Sequence, residues 1–413
     1  MGSVMGNAAP RVTFLTQYFP PEMGAPQARI SEFARGLADR GWEVSVVTAL
    51  PNYPTGRVFE AYRGRMSALE RMGPVTVRRT WIRPDATGRV SARLACAASF
   101  AASGLTACLL HIPKGGVLVA ESPPLTLGPV GAIASRLRRR GYVLNVSDLW
   151  PSSLIEMGVL RDGWVARWAY AVEAASYRSA LLITAQSPAI MENIQARFPE
   201  RRVALLSNGV DTSLFRPELR SDEARRHVGA EGKVLVTYAG LHGLAQGLDA
   251  VIEAAHTLRN EPNLLFLLVG DGPEKASLVE RASRLGLQNV RFMPPTDRRS
   301  VARLLASSDI ALVTLRRPIR GAVPSKVYEA MASGVPVVAA TEGGAAALVA
   351  ETGAGLTVKP GDSAAIAAAL LQLAGDADLR ERCGLAGRRA ACERYDRRIW
   401  LGKLSDYLAS VLR

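Results

Sequence analysis

The sequence predicts an α/β protein built from two doubly wound domains that face each other across a cleft. Three observations carry this expectation. Short aliphatic runs alternate with stretches whose apolar residues recur at helical spacing, the pattern of βαβ units and parallel sheets. The alternation starts at Arg11, pauses between Ser207 and Pro217, and restarts at Lys233. The chain has 413 residues, 48% of them hydrophobic, which is ample for two buried cores.

Arg11–Thr16 is β-rich and is followed by a turn cluster, Pro20–Pro26. From Gln27 to Arg40 the stripe Ile30, Phe33, Ala34, Leu37 and Ala38 marks a helix, closed by Gly41. Strands are predicted at Glu43–Thr48, Gly116–Ala120, Tyr142–Val146 and Leu181–Thr184, with a helix near Thr126–Arg139. Leu94–Leu110 holds 17 residues without a charge. A spanning helix needs about 20 mainly apolar residues, and this run is rich in weakly hydrophobic Ala, Ser, Gly and Thr. It is expected as a buried helix inside the domain.

The second half repeats the scheme. Strands are predicted at Lys233–Tyr238, Leu264–Val269, Val290–Met293, Ile310–Thr314 and Val335–Ala339. Helices are predicted at Gly247–Arg259, Glu274–Leu285, Arg299–Ser307 and Ser325–Ser333. The expected domains are 1–207 and 208–396, with 397–413 a helix returning to the first. Ligands of such sheets bind beyond the carboxyl ends of the strands, so two facing sheets predict a site between them.

Charge narrows the partners. Lys+Arg number 51 against 37 Asp+Glu, net +14, with a pI of about 10.1. The excess is concentrated before Leu205, and Arg57–Arg93 alone carries nine arginines. One reading is an arginine-rich solvated surface; the other is a basic half that meets an anionic surface. Nucleic acid is disfavoured, because no aromatic residues interleave the basic runs to stack bases. Cys96, Cys108, Cys383 and Cys392 form no zinc or disulfide spacing. Met1–Pro10 lacks a signal-peptide pattern, so a cytoplasmic, thiol-reducing setting is expected.

The motifs that carry chemistry lie mostly in the second half. Val269-Gly-Asp-Gly-Pro273 joins a strand to a helix and lacks a dinucleotide fingerprint's third glycine. Its glycines suit either a ligand approaching the backbone or a tight turn. Pro324-Ser-Lys-Val-Tyr-Glu-Ala-Met-Ala-Ser-Gly334 is the sharpest feature. Ser325 is a natural N-cap and Gly334 a natural stop. Lys326 adds a full charge to the partial positive charge of a helix start, which suits a phosphate. Glu329, one turn on, suits a ribose diol, or else forms an exposed i, i+3 ion pair with Lys326. Asp148 follows a strand and either orients an acceptor hydroxyl or caps the next helix. His242 is either a phosphate contact or an exposed bystander. Asp376-Ala-Asp378 precedes a helix and reads as a cap rather than a metal motif.

With these residues in hand, the chain resembles the GT-B glycosyltransferases of family 4. The resemblance rests on Tyr18-Phe-Pro-Pro-Glu22 with Gly24, Pro51-Asn-Tyr-Pro54, Asp148-Leu-Trp-Pro151, Asn208-Gly-Val-Asp211 with Phe215 and Pro217, Tyr238-Ala-Gly240, Gln246-Gly-Leu-Asp249, Gly270-Asp-Gly-Pro273, Ser307-Ser-Asp309 and the Pro-Ser-Lys-x-x-Glu helix. The Pro-Pro-Glu, Pro-Asn-Tyr-Pro, Asp-Leu-Trp-Pro and Pro-Ser-Lys set is most similar to bacterial N-acetylfucosamine transferases of polysaccharide assembly.

The resemblance implies two Rossmann-like domains, a retaining mechanism, a nucleoside-diphosphate-sugar donor, and no metal or other cofactor. It implies that Gly24, Gly240, His242, Gln246, Gly270, Ser325 and Lys326 surround the donor diphosphate. Glu329 would hold the ribose, and Phe292 and Met293 would flank the base. Glu22 and Asp148 fall on the acceptor side, with Asp148 and Lys326 nearest the chemistry. The first glutamate of the family's paired motif falls at Gly321, and its diphosphate-clamping Arg and Lys fall at Leu241 or His242 and at Gln246. Lys326 is therefore the remaining cation for the diphosphate in this domain.

The expected activity is transfer of a sugar, most simply from UDP, to an acceptor hydroxyl. The acceptor would be a lipid-diphosphate-linked glycan at the inner face of a membrane, approached through the arginines of Arg57–Arg93. The alternatives are a soluble small-molecule acceptor, a sugar-nucleotide epimerase, and a non-catalytic sugar-nucleotide sensor.

Overall fold

In a computed structural model of the chain, residues 9–87, 90–156, 158–161, 163–317, 321 and 323–412 are described. They form two compact units, Met1–Ser207 with Leu401–Arg413, and Asn208–Trp400.

The first unit runs β1 (Arg11–Leu15), α1 (Ala25–Ala38), β2 (Glu43–Ala49), β3 (Ser67–Met72), β4 (Val75–Thr80), α2 (Val90–His111), β5 (Val117–Ser122), α3 (Leu127–Arg138), β6 (Gly141–Val146), α4 (Ser152–Glu156), α5 (Trp164–Ser179), β7 (Leu182–Ala185), α6 (Pro188–Arg197) and β8 (Val203–Leu205). Its eight strands are ordered β3-β4-β2-β1-β5-β6-β7-β8, parallel except for β3 against β4. Order reverses at β1/β5, so the loop after β1 opens at the switch point where such sheets bind ligands. Phe14 of β1 lies between Val46 and Val119, a register that buries continuous apolar runs on both faces.

The antiparallel β3–β4 pair has no counterpart in the sequence reading. Every second residue of β3 is exposed, and Ser-Ala-Leu-Glu-Arg-Met offers no apolar alternation to detect. Within the pair, Arg79 is wholly buried, bound to Glu70 at 2.9 Å and stacked over Tyr62. One of the nine arginines expected at a membrane is thus internal, and Arg89 lies outside the described residues.

The expected buried helix is α2, and the structure corrects that expectation. Its inner stripe, Cys96, Phe100, Ala107 and Cys108, joins the core of the first unit. The outer stripe, Leu94, Ala98, Ala102, Thr106 and Leu110, is exposed, and only 28% of the helix's most apolar window is buried. Small residues allow close packing on one side while leaving an apolar stripe on the other.

The second unit runs α7 (Asp222–His227), β9 (Val234–Ala239), α8 (Leu248–Thr257), β10 (Leu264–Val269), α9 (Lys275–Arg284), β11 (Val290–Met293), α10 (Arg298–Ala306), β12 (Ile310–Thr314), α11 (Ser325–Ala332), β13 (Val337–Ala340), α12 (Gly344–Thr352), β14 (Gly355–Val358), α13 (Ser363–Gly375) and α14 (Ala377–Arg394), with α15 (Arg397–Leu412) last. Its six parallel strands are ordered β11-β10-β9-β12-β13-β14. In β10, Leu264, Phe266 and Leu268 enter one core while Leu265, Leu267 and Val269 enter the other, the two-residue period of a strand covered on both faces. Asp376 caps α14 by accepting the Leu379 amide at 2.7 Å.

Helix α15 is shared between the units. Its first turn belongs to the second, where Arg397 donates to the carbonyls of Asn208 (3.0 Å) and Gly209 (3.1 Å). Its remainder belongs to the first, where Trp42 reaches Ser405 and Tyr407 reaches the Leu205 carbonyl.

Candidate active site

The donor-side residues gather around the start of α11. Val327, Ala330 and Met331 anchor the helix in the core. At its end Gly334 (φ +70°) donates to Met331 and Val335 donates to Ala330, a left-handed stop that favours glycine. At its start the structure shifts the expected cap by one residue. Pro324 stands at the N-cap and makes no side-chain cap hydrogen bond. Proline's fixed φ suits that position, and Ser325 becomes the first helical residue, its hydroxyl turned toward Glu329. The helix therefore presents uncapped N–H groups, a ready anion site.

Lys326 supplies a charge there. Its Nζ donates to the Tyr238 hydroxyl at 2.5 Å and lies 3.9 Å from that ring's centroid. Tyr238 is fully buried and donates in turn to the Leu241 carbonyl at 2.7 Å. Burial pushes the Lys326 amine down to about 7, with Glu329 opposing the shift. Gly240 (φ +143°) makes room for it, since a Cβ there would sit 2.6 Å from Nζ. Glu329 is half-buried. Burial raises its carboxyl above the usual range, while Arg298, Arg397, Lys326 and the Ser325 hydroxyl favour the carboxylate. An exposed ion pair does not describe this arrangement.

The loops after β9 and β10 nest on one another. A Cβ on Gly270 would lie 1.9 Å from the Gly240 carbonyl oxygen, and one on Gly272 would lie 2.4 Å from that of His242. These glycines serve loop-on-loop contact. Lys275 fastens the same corner, donating to the Gly270 and Met293 carbonyls at 2.6 and 3.1 Å. His242 is fully buried rather than exposed, with its ring between Tyr238 and Phe292. Burial and the charges of Lys275 and Lys326 hold it down to about 4, so the imidazole is neutral at pH 7. The Val269 carbonyl favours the protonated ring, but neither buried nitrogen makes a well-formed hydrogen bond. Phe292 and Met293 end β11 beside this corner. Gln246 lies on the loop before α8, its Oε1 also buried and unpartnered. Orphaned polar atoms cost roughly 1–3 kcal/mol each, and a ligand's polar groups would relieve that cost.

The remaining residues belong to the first unit. Gly24 is exposed at the N-cap of α1, with no side-chain cap. Glu22, expected on the acceptor side, is a structural clamp between two loops. It is 2% exposed, and it accepts the amides of Phe19 (3.1 Å), Asn52 (2.8 Å) and Tyr53 (2.8 Å), tying the loop after β1 to the loop after β2. Asp148 follows β6. Its Oδ2 accepts from Trp150 Nε1 (3.1 Å) and Ser153 Oγ (3.0 Å), while Oδ1 is buried. Burial raises its carboxyl. The Leu149 amide also favours the carboxylate, so the group braces the turn into α4, with Oδ1 lacking a well-formed hydrogen bond.

Within the second unit, then, Gly240, His242, Gly270, Lys326 and Glu329 converge with Phe292 and Met293. Sequence reasoning gave no site role to Tyr238, Lys275, Arg298 or Arg397. Tyr238 stands two residues before Gly240 and could have been found as a polar tip at a strand end. Arg397 lies 68 positions beyond Glu329, and no local pattern links them.

The second unit thus offers a helix start without an N-cap side chain, a half-buried lysine and a carboxylate one turn on. Two family models match the chain: "Glycosyl transferase 4-like domain" over 24–209 and "Glycosyl transferases group 1" over 220–390. Together they span most of its length, and the chain belongs to the GT-B glycosyltransferases. WcaI of Escherichia coli, named as a colanic acid biosynthesis glycosyl transferase, is 29% identical over 325 residues, covering 76% of this chain and 79% of WcaI. Anabaena HepE, solved with UDP and glucose, superposes with a TM-score of 0.71 at 22% identity, covering 97% of this chain and all of HepE. WaaG, a glycosyltransferase involved in lipopolysaccharide biosynthesis, gives 0.69 at 19%, covering 96% and 99%.

Proposed function

We propose that the chain is a retaining family 4 glycosyltransferase that moves a sugar from UDP to a hydroxyl of a lipid-diphosphate-linked glycan at a membrane's inner face. The subgroup similar to N-acetylfucosamine transferases is the closest fit, on the motifs given above. The start of α11 carries the reading: uncapped amides, Lys326 held against Gly240, and Glu329 one turn on. Amides and amine would stabilise the departing diphosphate, whose negative charge grows as the glycosidic bond breaks. Glu329 would accept hydrogen bonds from the ribose hydroxyls. His242 and Gln246 would satisfy their orphaned atoms on the donor. Asp148 Oδ1 would orient the acceptor hydroxyl. The leaving phosphate would take the acceptor proton, so no protein base or metal is needed. Among the described residues no group of three His, Cys, Asp or Glu is placed to hold a metal ion. UDP in HepE and the polysaccharide roles named for WcaI and WaaG support the donor and the acceptor class.

Calorimetric titration of UDP into wild type and Glu329→Ala tests the central contact. A hydrogen bond to a charged group is worth roughly 1.5–3 kcal/mol, so affinity should fall about ten- to a hundredfold. Glu329→Gln should fall between the two. Unchanged affinity in a folded Glu329→Ala removes the ribose assignment.

A further inference from the structure

The three helices α2, α3 and α5 form one layer of the first unit, with α3 packed between the other two. Their outer faces carry large apolar side chains that are exposed among the described residues. Leu94 and Leu110 lie on α2, Ile133 and Leu137 on α3, and Trp164 and Trp168 on α5. Trp164 is 75% exposed and Trp168 59%. Single exposed hydrophobics are ordinary, but six on adjacent helices mark a contact surface.

Charge selects the partner. The only acid in these three helices is Glu173, and it is buried and bound to Arg197. Arg136 and Arg167 are exposed among the apolar residues, with Arg178 exposed over the Phe198 ring at the end of α5. A surface of tryptophan, leucine and arginine without exposed acid matches an interface of acyl chains and anionic headgroups. A soluble acidic protein would complement the arginines but not a broad layer of bare aliphatic residues.

We infer that the α2–α3–α5 layer seats on an anionic phospholipid bilayer, with Trp164 and Trp168 at headgroup level. This deepens the proposed membrane-borne acceptor and relocates the contact from the Arg57–Arg93 segment. The inner stripe of α2 stays in the protein core, so the helix lies along the surface rather than across the bilayer.

The test is flotation of the full chain with phosphatidylcholine vesicles, with and without phosphatidylglycerol, alongside UDP binding measured without lipid. Wild type should bind the anionic vesicles at least about tenfold more tightly, with a blue-shifted tryptophan emission and a loss of binding at high salt. W164S/W168S and R136Q/R167Q/R178Q should each weaken binding by about tenfold or more while keeping UDP affinity. R57Q/R65Q/R71Q, on exposed arginines outside the layer, should bind as wild type does. Binding unaffected by W164S/W168S, or lost in R57Q/R65Q/R71Q, overturns the assignment. So does a wild-type dimer that W164S/W168S dissociates, since the layer would then be a protein interface. If vesicles fail to bind but UDP affinity is normal, the membrane face falls and the donor site stands.

Discussion

In the free protein the Lys326 amine titrates near 7 because burial disfavours its charge. A bound diphosphate would restore the charge, so UDP binding should take up a proton. As pH rises from about 7 to about 9, the free protein must recover that proton from an emptier pool, and affinity should fall by up to about tenfold per pH unit. Lys326→Met should bind weakly at neutral pH and show no such slope. Calorimetry across that range, in buffers of different ionisation enthalpy, checks both points, and a flat wild-type profile contradicts the role. The sign for stability follows from the same shift. The folded value lies below the unfolded 10.5, so the unfolded chain binds the extra proton and stability rises with pH above about 7. Lys326→Met should therefore melt higher than wild type at neutral pH, with function and stability opposed at one side chain. Lys326 and Glu329 were legible in sequence as a charged pair behind a proline. Their burial was not, because Tyr238, Arg298 and Arg397 come from distant segments.

At the scale of elements, apolar period identified most strands of the second sheet, because strands covered on both faces read as continuous apolar runs. Leu264–Val269, Val290–Met293 and Ile310–Thr314 appear where the sequence places them. Elements that face solvent on one side were harder. Strand β3 carries its own charges, and α2 looked core-like because alanine and serine do not declare which face is exposed. The Gly-Asp-Gly turn was legible as a turn, but its partner was not, since the contact is with the loop after β9. That contact makes a prediction. Gly270→Ala would drive a Cβ into the Gly240 carbonyl, costing at least about 2 kcal/mol and pulling the loop off Lys326. Gly286 also has positive φ (+64°), but it has open space around it, so Gly286→Ala should cost only about 1 kcal/mol. Thermal melts and UDP titration of the two variants should differ clearly; equal losses contradict the nested-loop account.

At the scale of the molecule, two sheets built on one plan divide the work by charge and chemistry. The first unit carries the exposed apolar and basic layer, Gly24 and Asp148. The second carries the lysine, the carboxylate and the buried imidazole. The two-sheet plan was legible from the restart at Lys233, and the family from motifs dispersed along the chain. The exposed apolar and basic layer was not, because its residues come from helices separated in sequence and joined only by packing on one sheet face. The account as a whole rests on sugar transfer from a nucleoside diphosphate. Its most direct measurement is nucleotide release from a panel of nucleotide sugars in EDTA, with and without a lipid-diphosphate-linked acceptor. UDP release from one UDP-sugar that rises sharply with the acceptor, undiminished by EDTA, is the predicted result. No release from any UDP-sugar in the presence of acceptor, or release only when a divalent metal is restored, would contradict it.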